Sequence, residues 1–189
     1  MPQLTEVRWH GRGGQGAKTA GYILAVAAAE DGWNIQAFPE YGAERRGAPM
    51  RSYVRISDGP IRLRSGIRNP DVVIVLDDSL LASENVTDGM KPGGVLIVNS
   101  SRSVDEVRSQ IGNADVKLFV VDANKVAMET IGRPIPNTVM LGALSRATGL
   151  VKMDAVKRAI DVRLGGKLSK AAVEANYAAV ERAYEEVQS

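Results

Sequence analysis

The sequence predicts an α/β fold: a single layered domain with a mostly parallel sheet, an antiparallel edge hairpin and a helical C-terminal segment. Segments with strand patterns alternate with helical ones over the first two thirds of the chain, which favours helices packed on a sheet. The later strands are continuous apolar runs such as DVVIVL at Asp71–Leu76, and such runs suit parallel strands buried on both faces. We expect residues 1–189 to form one domain, helical from about residue 123.

The amino-terminal elements follow from local patterns. Leu4–His10 is predicted as a strand with Val7 and Trp9 on one face, and it runs directly into a glycine-rich stretch. An alanine-rich segment over Ala17–Asp31 predicts a helix that ends before a glycine. Asn34–Phe38 is predicted as the second strand.

The antiparallel hairpin is predicted near residues 50–64. Met50–Ile56 alternates between apolar and polar positions, which is the periodicity of a strand. A turn signal over Asp58–Pro60 follows, and Ile61–Arg64 repeats the alternation, so the two runs are expected to pair. A loop is expected over Pro39–Pro49.

The second half supplies further strands and helices. Val95–Asn99 and Val116–Asp122 are predicted as strands, with a short helix over Val104–Ile111 between them. Asp77 and Asp78 end the Asp71–Leu76 strand, and capping the next helix is the favoured interpretation over a pair of metal ligands. Beyond residue 123 the pattern is helical.

Composition excludes several classes of function. The net charge is only +2 and the 24 basic residues are scattered, so no nucleic-acid partner is expected. With no cysteine and one histidine, disulfides, thiolate zinc sites and cysteine-ligated clusters are excluded within this chain. No apolar run approaches the ~20 residues of a membrane span. No signal peptide is visible, so a cytoplasmic protein without a membrane partner is expected.

A glycine loop is the first candidate site. Gly11, Gly13 and Gly16 fit the G-x-G-x-x-G fingerprint between a predicted strand and a helix, where backbone N–H groups can face a phosphate. The dinucleotide interpretation also requires an acidic residue at the end of the second strand, whereas Glu40 lies in the predicted loop. Three interpretations stay open: a dinucleotide site, a tight turn without a ligand, and a site for another phosphate-bearing ligand or a partner.

Four stretches together resemble one family. They are HGRGGQG at His10–Gly16, FPEYGAERRGAP at Phe38–Pro49, Pro70-Asp71 before VVIVLD, and IPNTVMLGA at Ile135–Ala143. The chain resembles the gamma subunit of pyruvate:ferredoxin oxidoreductase within the 2-oxoacid:acceptor oxidoreductase family. The resemblance runs over nearly the whole chain, and the glycine loop paired with YGAERRGAP is far more specific than either stretch alone.

The resemblance implies an assembly and a reaction. Gamma chains of this type work with alpha and beta subunits that bind thiamine diphosphate and with a ferredoxin-like delta subunit that holds [4Fe–4S] clusters. The complex, which also uses Mg²⁺, oxidatively decarboxylates a 2-oxoacid, transfers the acyl group to coenzyme A and reduces ferredoxin. This chain alone is expected to hold no cofactor, to contain no catalytic residue and no metal site, and to be inactive in isolation.

Two groups of residues are the candidate contacts. Arg12, Gly13, Gly14, Gln15 and Gly16 are expected to bind coenzyme A or to line its approach, through N–H donors and the charge of Arg12. For Glu44, Arg45 and Arg46, ligand contact and a salt-bridge cluster at a subunit interface remain equally open.

Alternatives to the pyruvate enzyme remain. The same assembly could act on 2-oxoglutarate, branched-chain or aryl 2-oxoacids, because nothing in the sequence recognises the substrate side chain. A stand-alone NAD- or FAD-binding dehydrogenase and a purely structural scaffold are the other two. For His10 we expect a hydrogen-bonding role beside the glycine loop, and for Asn137 a helix N-cap.

Overall fold

The computed structural model describes residues 3–41 and 47–189, which form one six-stranded sheet with helices on both faces. The strand order is β2-β3-β1-β4-β5-β6. β3 runs antiparallel to both of its neighbours, and β1, β4, β5 and β6 pair in parallel. The strands are β1 Leu4–Arg12, β2 Asn34–Tyr41, β3 Pro49–Ser57, β4 Val72–Val75, β5 Gly94–Asn99 and β6 Val116–Val121.

The helices divide unequally between the two faces of the sheet. They are α1 Ala17–Glu30, α2 Leu80–Ser83, α3 Val104–Ile111, α4 Ala123–Thr130, α5 Val139–Thr148, α6 Met153–Leu164 and α7 Lys170–Glu186. α1 and α4 to α7 bury the larger core on one face, and α2 and α3 cover a smaller core on the other. None of the helices in the described ranges is long and apolar enough to span a bilayer.

The strands of the parallel half of the sheet are apolar at every position because helices cover both of its faces. Val72 and Ile74 of β4 face the larger core, while Val73 and Val75 face the smaller one. Successive strand residues point to opposite faces, so a strand covered on both sides is apolar at every position. The prediction of an α/β fold with a mostly parallel sheet, an antiparallel edge and C-terminal helices is confirmed.

The residues predicted for the hairpin are wrong in part. Met50–Ile56 does lie in β3, but Ile61–Arg64 belongs to a segment without helix or strand. β3 already lies between β2 and β1, so both of its hydrogen-bonding edges are occupied and no edge is left for a strand at residues 61–64. The antiparallel edge is instead the β2–β3 pair. The predicted loop over Pro39–Pro49 is correspondingly shorter, because its two ends extend these strands.

Candidate functional site

The glycine loop lies where the chain changes direction across the sheet. From β1 the chain proceeds to β2 and β3 on one side, and from β4 to β5 and β6 on the other. In open α/β sheets, ligands bind at such a switch point, outside the carboxyl ends of the strands. Gly13–Gly16 follows β1 at this edge, and Asp77 and Asp78 follow β4 beside it. The candidate site is therefore built from two segments that are distant in sequence.

The structure brings the glycine loop together with the second motif. The Gly13 N–H donates to the Ala48 carbonyl at 2.9 Å, and the Gly47 N–H donates back to the Gly13 carbonyl at 3.2 Å. The two bonds continue the β1–β3 ladder, in which Arg12 pairs with Pro49. The carboxyl end of the YGAERRGAP stretch thus lies against the glycine loop. Glu44, Arg45 and Arg46 lie outside the described residues.

Gln15 uses its side chain to hold the loop. Its Oε1 accepts from the Arg12 backbone N–H at 2.7 Å, and its Nε2 donates to Oδ2 of Asp77 at 2.7 Å. The Gln15 N–H also donates to the Arg12 carbonyl at 3.0 Å, which closes the turn. The side-chain amide of Gln15 therefore already has an acceptor and a donor within the protein.

Asp77 joins the glycine loop to the start of α2 through several contacts. Its carboxylate also accepts from the N–H and hydroxyl of Ser79, at 3.1 and 2.5 Å, and lies 3.3 Å from the Arg12 guanidinium. Burial raises the pKa of Asp77, but hydrogen bonds from Ser79 and Gln15 and the charge of Arg12 outweigh it, so this pKa lies below its ordinary value. Asp77 therefore stays ionised and fixes the loop.

The two aspartates do not act as a pair. The Asp78 carboxylate turns to Arg102, at 3.1 Å, and accepts from the Ser100 hydroxyl at 2.6 Å. The prediction that these aspartates cap the next helix is wrong, because Ser79 occupies the N-cap position of the one-turn helix α2 without a side-chain cap, and Asp77 accepts from the N–H of Ser79 itself. Within the described part of the chain, no three His, Cys, Asp or Glu side chains are grouped as metal ligands.

Arg12 is held in place but keeps donors to offer. Its guanidinium donates to the Gly47 carbonyl at 3.2 Å and to the Ser79 hydroxyl at 2.9 Å, beside the ion pair with Asp77. A guanidinium has five N–H donors, and these contacts use three. The side chain is 31% exposed, so the remaining donors can reach a ligand that approaches the loop.

Two glycines of the loop need their lack of a side chain. Gly14 and Gly16 have φ angles of 104° and 83°, a region that L side chains rarely adopt. A Cβ on Gly16 would also lie 2.4 Å from Nδ2 of Asn137. Asn137 therefore packs against the loop, and the prediction that it caps a helix is wrong, because Thr138 occupies the N-cap position of α5.

Helix α1 begins at the glycine loop, and the positive end of its dipole is not balanced by a side-chain cap or by an acidic residue in its first turn. Gly16 occupies the N-cap position and provides no side-chain cap, and the first turn has no acidic residue. Lys18, exposed in that first turn, adds a positive charge where the helix dipole is already positive. Lys18 is not among the residues predicted from the sequence, although a cation directly after a glycine loop is a visible signal. The loop end of α1 therefore suits an anion.

The neighbouring crevice has the opposite character. It is a cavity of about 420 Å³ at the carboxyl ends of β4 to β6, and its lining includes Asp77, Asp78 and Asp122, with Lys125 as the cation. Asp77 and Asp78 are paired with Arg12 and Arg102, and Asp122 adds a further negative charge near Lys125. The crevice therefore offers an anion less positive charge than the loop and the start of α1.

The strand order weighs against a dinucleotide site. In the classic order the strand after the first helix lies beside β1, and its terminal acid reaches the ribose. Here β3 lies between β1 and β2, which places Glu40 two strands, roughly 10 Å, from β1. Glu40 instead accepts a hydrogen bond from the Tyr53 hydroxyl.

His10 is buried and neutral. It is 1% exposed, and its Nε2 has no hydrogen-bond partner among the residues that the structure describes. Burial, with the charges of Arg8 and Arg51, lowers the pKa of His10 to about 3. The hydrogen-bonding role expected for His10 is therefore not seen at its Nε2, and the ring is not a cation at neutral pH.

These features define a class: an α/β chain that offers an anion-facing loop and contains no cysteine. The comparison with protein families gives the particular family. A model described as pyruvate ferredoxin/flavodoxin oxidoreductase matches residues 6–186, so the chain belongs to this family. It is a subunit of a multi-subunit oxidoreductase, and the resemblance drawn from its motifs is confirmed.

Individual relatives agree in sequence and structure. Pyruvate synthase subunit PorC of Thermotoga maritima is 50% identical over 183 residues, covering 97% of this chain and 94% of that protein. The pyruvate/ketoisovalerate oxidoreductases common subunit gamma of Thermococcus kodakarensis is 51% identical over 176 residues, covering 91% of this chain and 95% of that one. The crystal structure of pyruvate oxidoreductase subunit PORC from Thermotoga maritima superposes with a TM-score of 0.87 at 45% identity, with 98% of both chains covered.

Proposed function

We propose that this chain is the gamma subunit of a cytoplasmic pyruvate:ferredoxin oxidoreductase that works with alpha, beta and delta-type subunits. The assembly converts pyruvate, coenzyme A and two oxidised ferredoxins to acetyl-coenzyme A, CO₂, a proton and two reduced ferredoxins. Thiamine diphosphate with Mg²⁺ and the [4Fe–4S] clusters belong to the other subunits. A cluster held by cysteine thiolates has no ligand here, because the sequence contains no cysteine.

The contribution of this chain is to bind coenzyme A or to line its approach. One observation carries the proposal: α1 begins at the glycine loop without a side-chain cap, flanked by the cations Arg12 and Lys18. Coenzyme A carries a pyrophosphate and a 3′-phosphate, which such an arrangement can bind through N–H groups and charge. In this proposal Gly13, Gly14 and Gly16 let the phosphate approach the backbone, while Gln15 acts mainly by holding the loop.

We propose a role for Glu44, Arg45 and Arg46 as well. They belong to the stretch whose end, Gly47 and Ala48, bonds to Gly13. Either they contact the ligand or they form ion pairs with a neighbouring subunit, as their residue types permit. Substituting the two arginines separates these roles, since a ligand contact changes the KM for coenzyme A and an interface contact changes assembly.

The substrate is proposed from the relatives. The Thermotoga protein is a pyruvate synthase subunit, whereas the Thermococcus subunit is common to pyruvate and ketoisovalerate oxidoreductases. A branched-chain 2-oxoacid is therefore the second candidate, and 2-oxoglutarate and aryl 2-oxoacids complete the panel to be tested.

The test begins with the complex purified with its native partners. Coenzyme A-dependent reduction of ferredoxin or a viologen dye is measured across the 2-oxoacids, beside the isolated chain. We expect activity with pyruvate from the complex and none from the isolated chain. NAD or FAD retained by the isolated chain, in the absence of partners, would replace this proposal with a stand-alone dehydrogenase.

A separate variant tests the proposed contact with coenzyme A. Arg12→Ala removes a charge-assisted contact of about 1.5–3 kcal/mol, so we expect the KM for coenzyme A to rise roughly 10- to 100-fold in the complex. Arg158→Ala is the matched control, because this exposed arginine pairs with Glu30 on the helical face. An unchanged KM together with altered assembly would favour the purely structural scaffold.

A further inference from the structure

Residues 58–70, here called the arginine segment, cross the sheet face opposite α1 without forming a helix or strand. The guanidinium of the fully buried Arg55 donates to the Gly66 carbonyl at 3.4 Å, and Nε2 of Gln36 donates to the Leu63 carbonyl at 2.7 Å. The Ile67 side chain is buried. The segment is therefore fixed to the antiparallel part of the sheet.

The Arg55 side chain, which holds the segment from beneath, has its own charge and hydrogen-bond donors paired. Nε of Arg55 forms an ion pair with Glu6 at 2.8 Å, and Nη1 donates to Oε1 of Gln36 at 2.8 Å. A buried arginine is tolerated only when its donors are paired in this way. These contacts fix a segment that itself buries little apolar surface. A polar segment fixed in this way is expected of a preorganised recognition loop.

The outward surface of the segment is mainly basic. Arg62, Arg64 and Arg68 are exposed, and the one acidic residue of the segment is the exposed Asp58 at its start. Within the described ranges, none of these three arginines forms an ion pair. Three neighbouring cations without counter-charges repel one another, and an acidic surface would relieve that repulsion.

An exposed apolar side chain lies among these cations. Leu63, between Arg62 and Arg64, is 48% exposed. Arginine is enriched in protein interfaces, and the buried centre of such an interface is more apolar than its rim. A nucleic-acid surface would use the cations but would leave Leu63 without a role.

A groove beside the segment can receive an acidic side chain. It has a volume of about 580 Å³, and its walls include Arg68 of the segment with Arg8 and Arg51 of the sheet. Glu40 and Asp88 also line it, Arg51 is paired with Glu84, and Arg8 donates to the carbonyls of Val86 and Asp88. Arg68 is therefore the cation of the groove that can pair with an incoming carboxylate.

We propose that the arginine segment docks onto an acidic patch of another subunit of the oxidoreductase. This inference rests on the proposed assembly but uses a different surface from the glycine loop. The segment leaves β3 after Ser57, which pairs with Leu4 at the start of β1. It therefore begins at the amino ends of the parallel strands, at the opposite edge of the sheet from Arg12 and the loop.

The experiment reverses the charge of the segment within the complete complex. The triple variant Arg62→Glu, Arg64→Glu, Arg68→Glu competes with the tagged wild-type chain for the other subunits. The matched control is Lys152→Glu, Lys167→Glu, Lys170→Glu, which makes the same charge change at exposed lysines. We expect the segment variant to be incorporated about tenfold or more less efficiently and the control within about twofold of wild type. Unchanged thermal unfolding of each free variant shows that it folds.

A photocrosslinker at Leu63 identifies the occupant. The supporting result is a crosslink to a segment of another subunit that is rich in aspartate and glutamate. A crosslink to a second copy of this chain or to nucleic acid would overturn the inference, as would equal incorporation of segment variant and control. A wild-type chain that enters no complex at all would instead contradict the proposed function.

Discussion

Asp77 and Gln15 offer the sharpest energetic test of how the glycine loop is held. Asp77→Ala removes the acceptor of four contacts: those from Gln15 Nε2, from the N–H and hydroxyl of Ser79, and from the Arg12 guanidinium. Hydrogen bonds to a charged group contribute about 1.5–3 kcal/mol each when well buried. The Asp77 side chain is 21% exposed and water replaces part of this, so we expect a total loss of about 2 kcal/mol.

Urea unfolding of the free chain measures this loss through a double-mutant cycle. Gln15→Ala alone should cost about 1 kcal/mol, and the double variant should lose about 1 kcal/mol less than the sum of the single changes, because each removes the same bond. Asp78→Ala is the control, since Asp78 pairs with Arg102 at the surface and does not contact the loop. A coupling below about 0.3 kcal/mol would refute the idea that this pair holds the loop.

The pH dependence gives the same cycle a second readout. The pKa of folded Asp77 lies below its ordinary value, so its contribution is complete above the unfolded pKa of about 3.9. As the pH falls below this value, the unfolded state binds a proton first, and the contribution is lost as the pH passes through the folded pKa. The stability difference between wild type and Asp77→Ala should therefore be constant at neutral pH and shrink below about pH 4.

Three further outcomes are expected from the same unfolding measurements. In Gly142→Ala the new Cβ would lie 2.0 Å from the Val180 carbonyl oxygen of α7, so a loss of about 1–3 kcal/mol or more is expected, and a loss below 0.5 kcal/mol would contradict this packing. Gly16→Ala combines a positive φ angle with a clash against Asn137. A loss of about 2 kcal/mol should be only partly recovered by adding Asn137→Ala, and complete recovery would show that the φ angle costs nothing. Since folded His10 has a pKa of about 3 while its unfolded pKa is about 6.5, stability is complete above that unfolded value and falls at lower pH. Between pH 6 and 5 the wild type should lose about 1 kcal/mol more than His10→Asn, and parallel curves would show that His10 is protonated normally.

The sequence predicted those elements whose pattern reports burial on its own. The apolar runs of β4 and β5 are continuous because the sheet is covered on both faces there, and no partner strand has to be known to see this. The alternation of Met50–Ile56 also identified β3 correctly, because one face meets α1 and the other is polar. Alternation does not identify the neighbouring strand, so it predicts for Ile61–Arg64 a pairing that the occupied edges of β3 exclude.

The candidate site could likewise be predicted from the sequence only in part. The glycine loop could be predicted because its strand, turn and helix are contiguous in sequence. Asp77 is 62 residues from Gln15, and no periodicity links the two, so the sequence predicts for Asp77 a helix cap and not the contact that holds the loop. Asn137 fills the space that Gly16 leaves from farther still along the chain. Both contacts depend on which elements meet at the switch point, and that information is in the topology rather than in any local pattern.

The fold also explains how a dinucleotide-like fingerprint can serve a different ligand. In the classic arrangement the loop binds the pyrophosphate and the crevice beside it receives the rest of the dinucleotide. Here Asp77, Asp78 and Asp122 make that crevice acidic, and the insertion of β3 moves Glu40 away from β1. The positive end of α1 remains beside Gly47 and Ala48. Under the proposed function, a phosphate bound at the loop would extend its carrier past Gly47 and Ala48, the end of the second motif of the family resemblance, and not into the crevice.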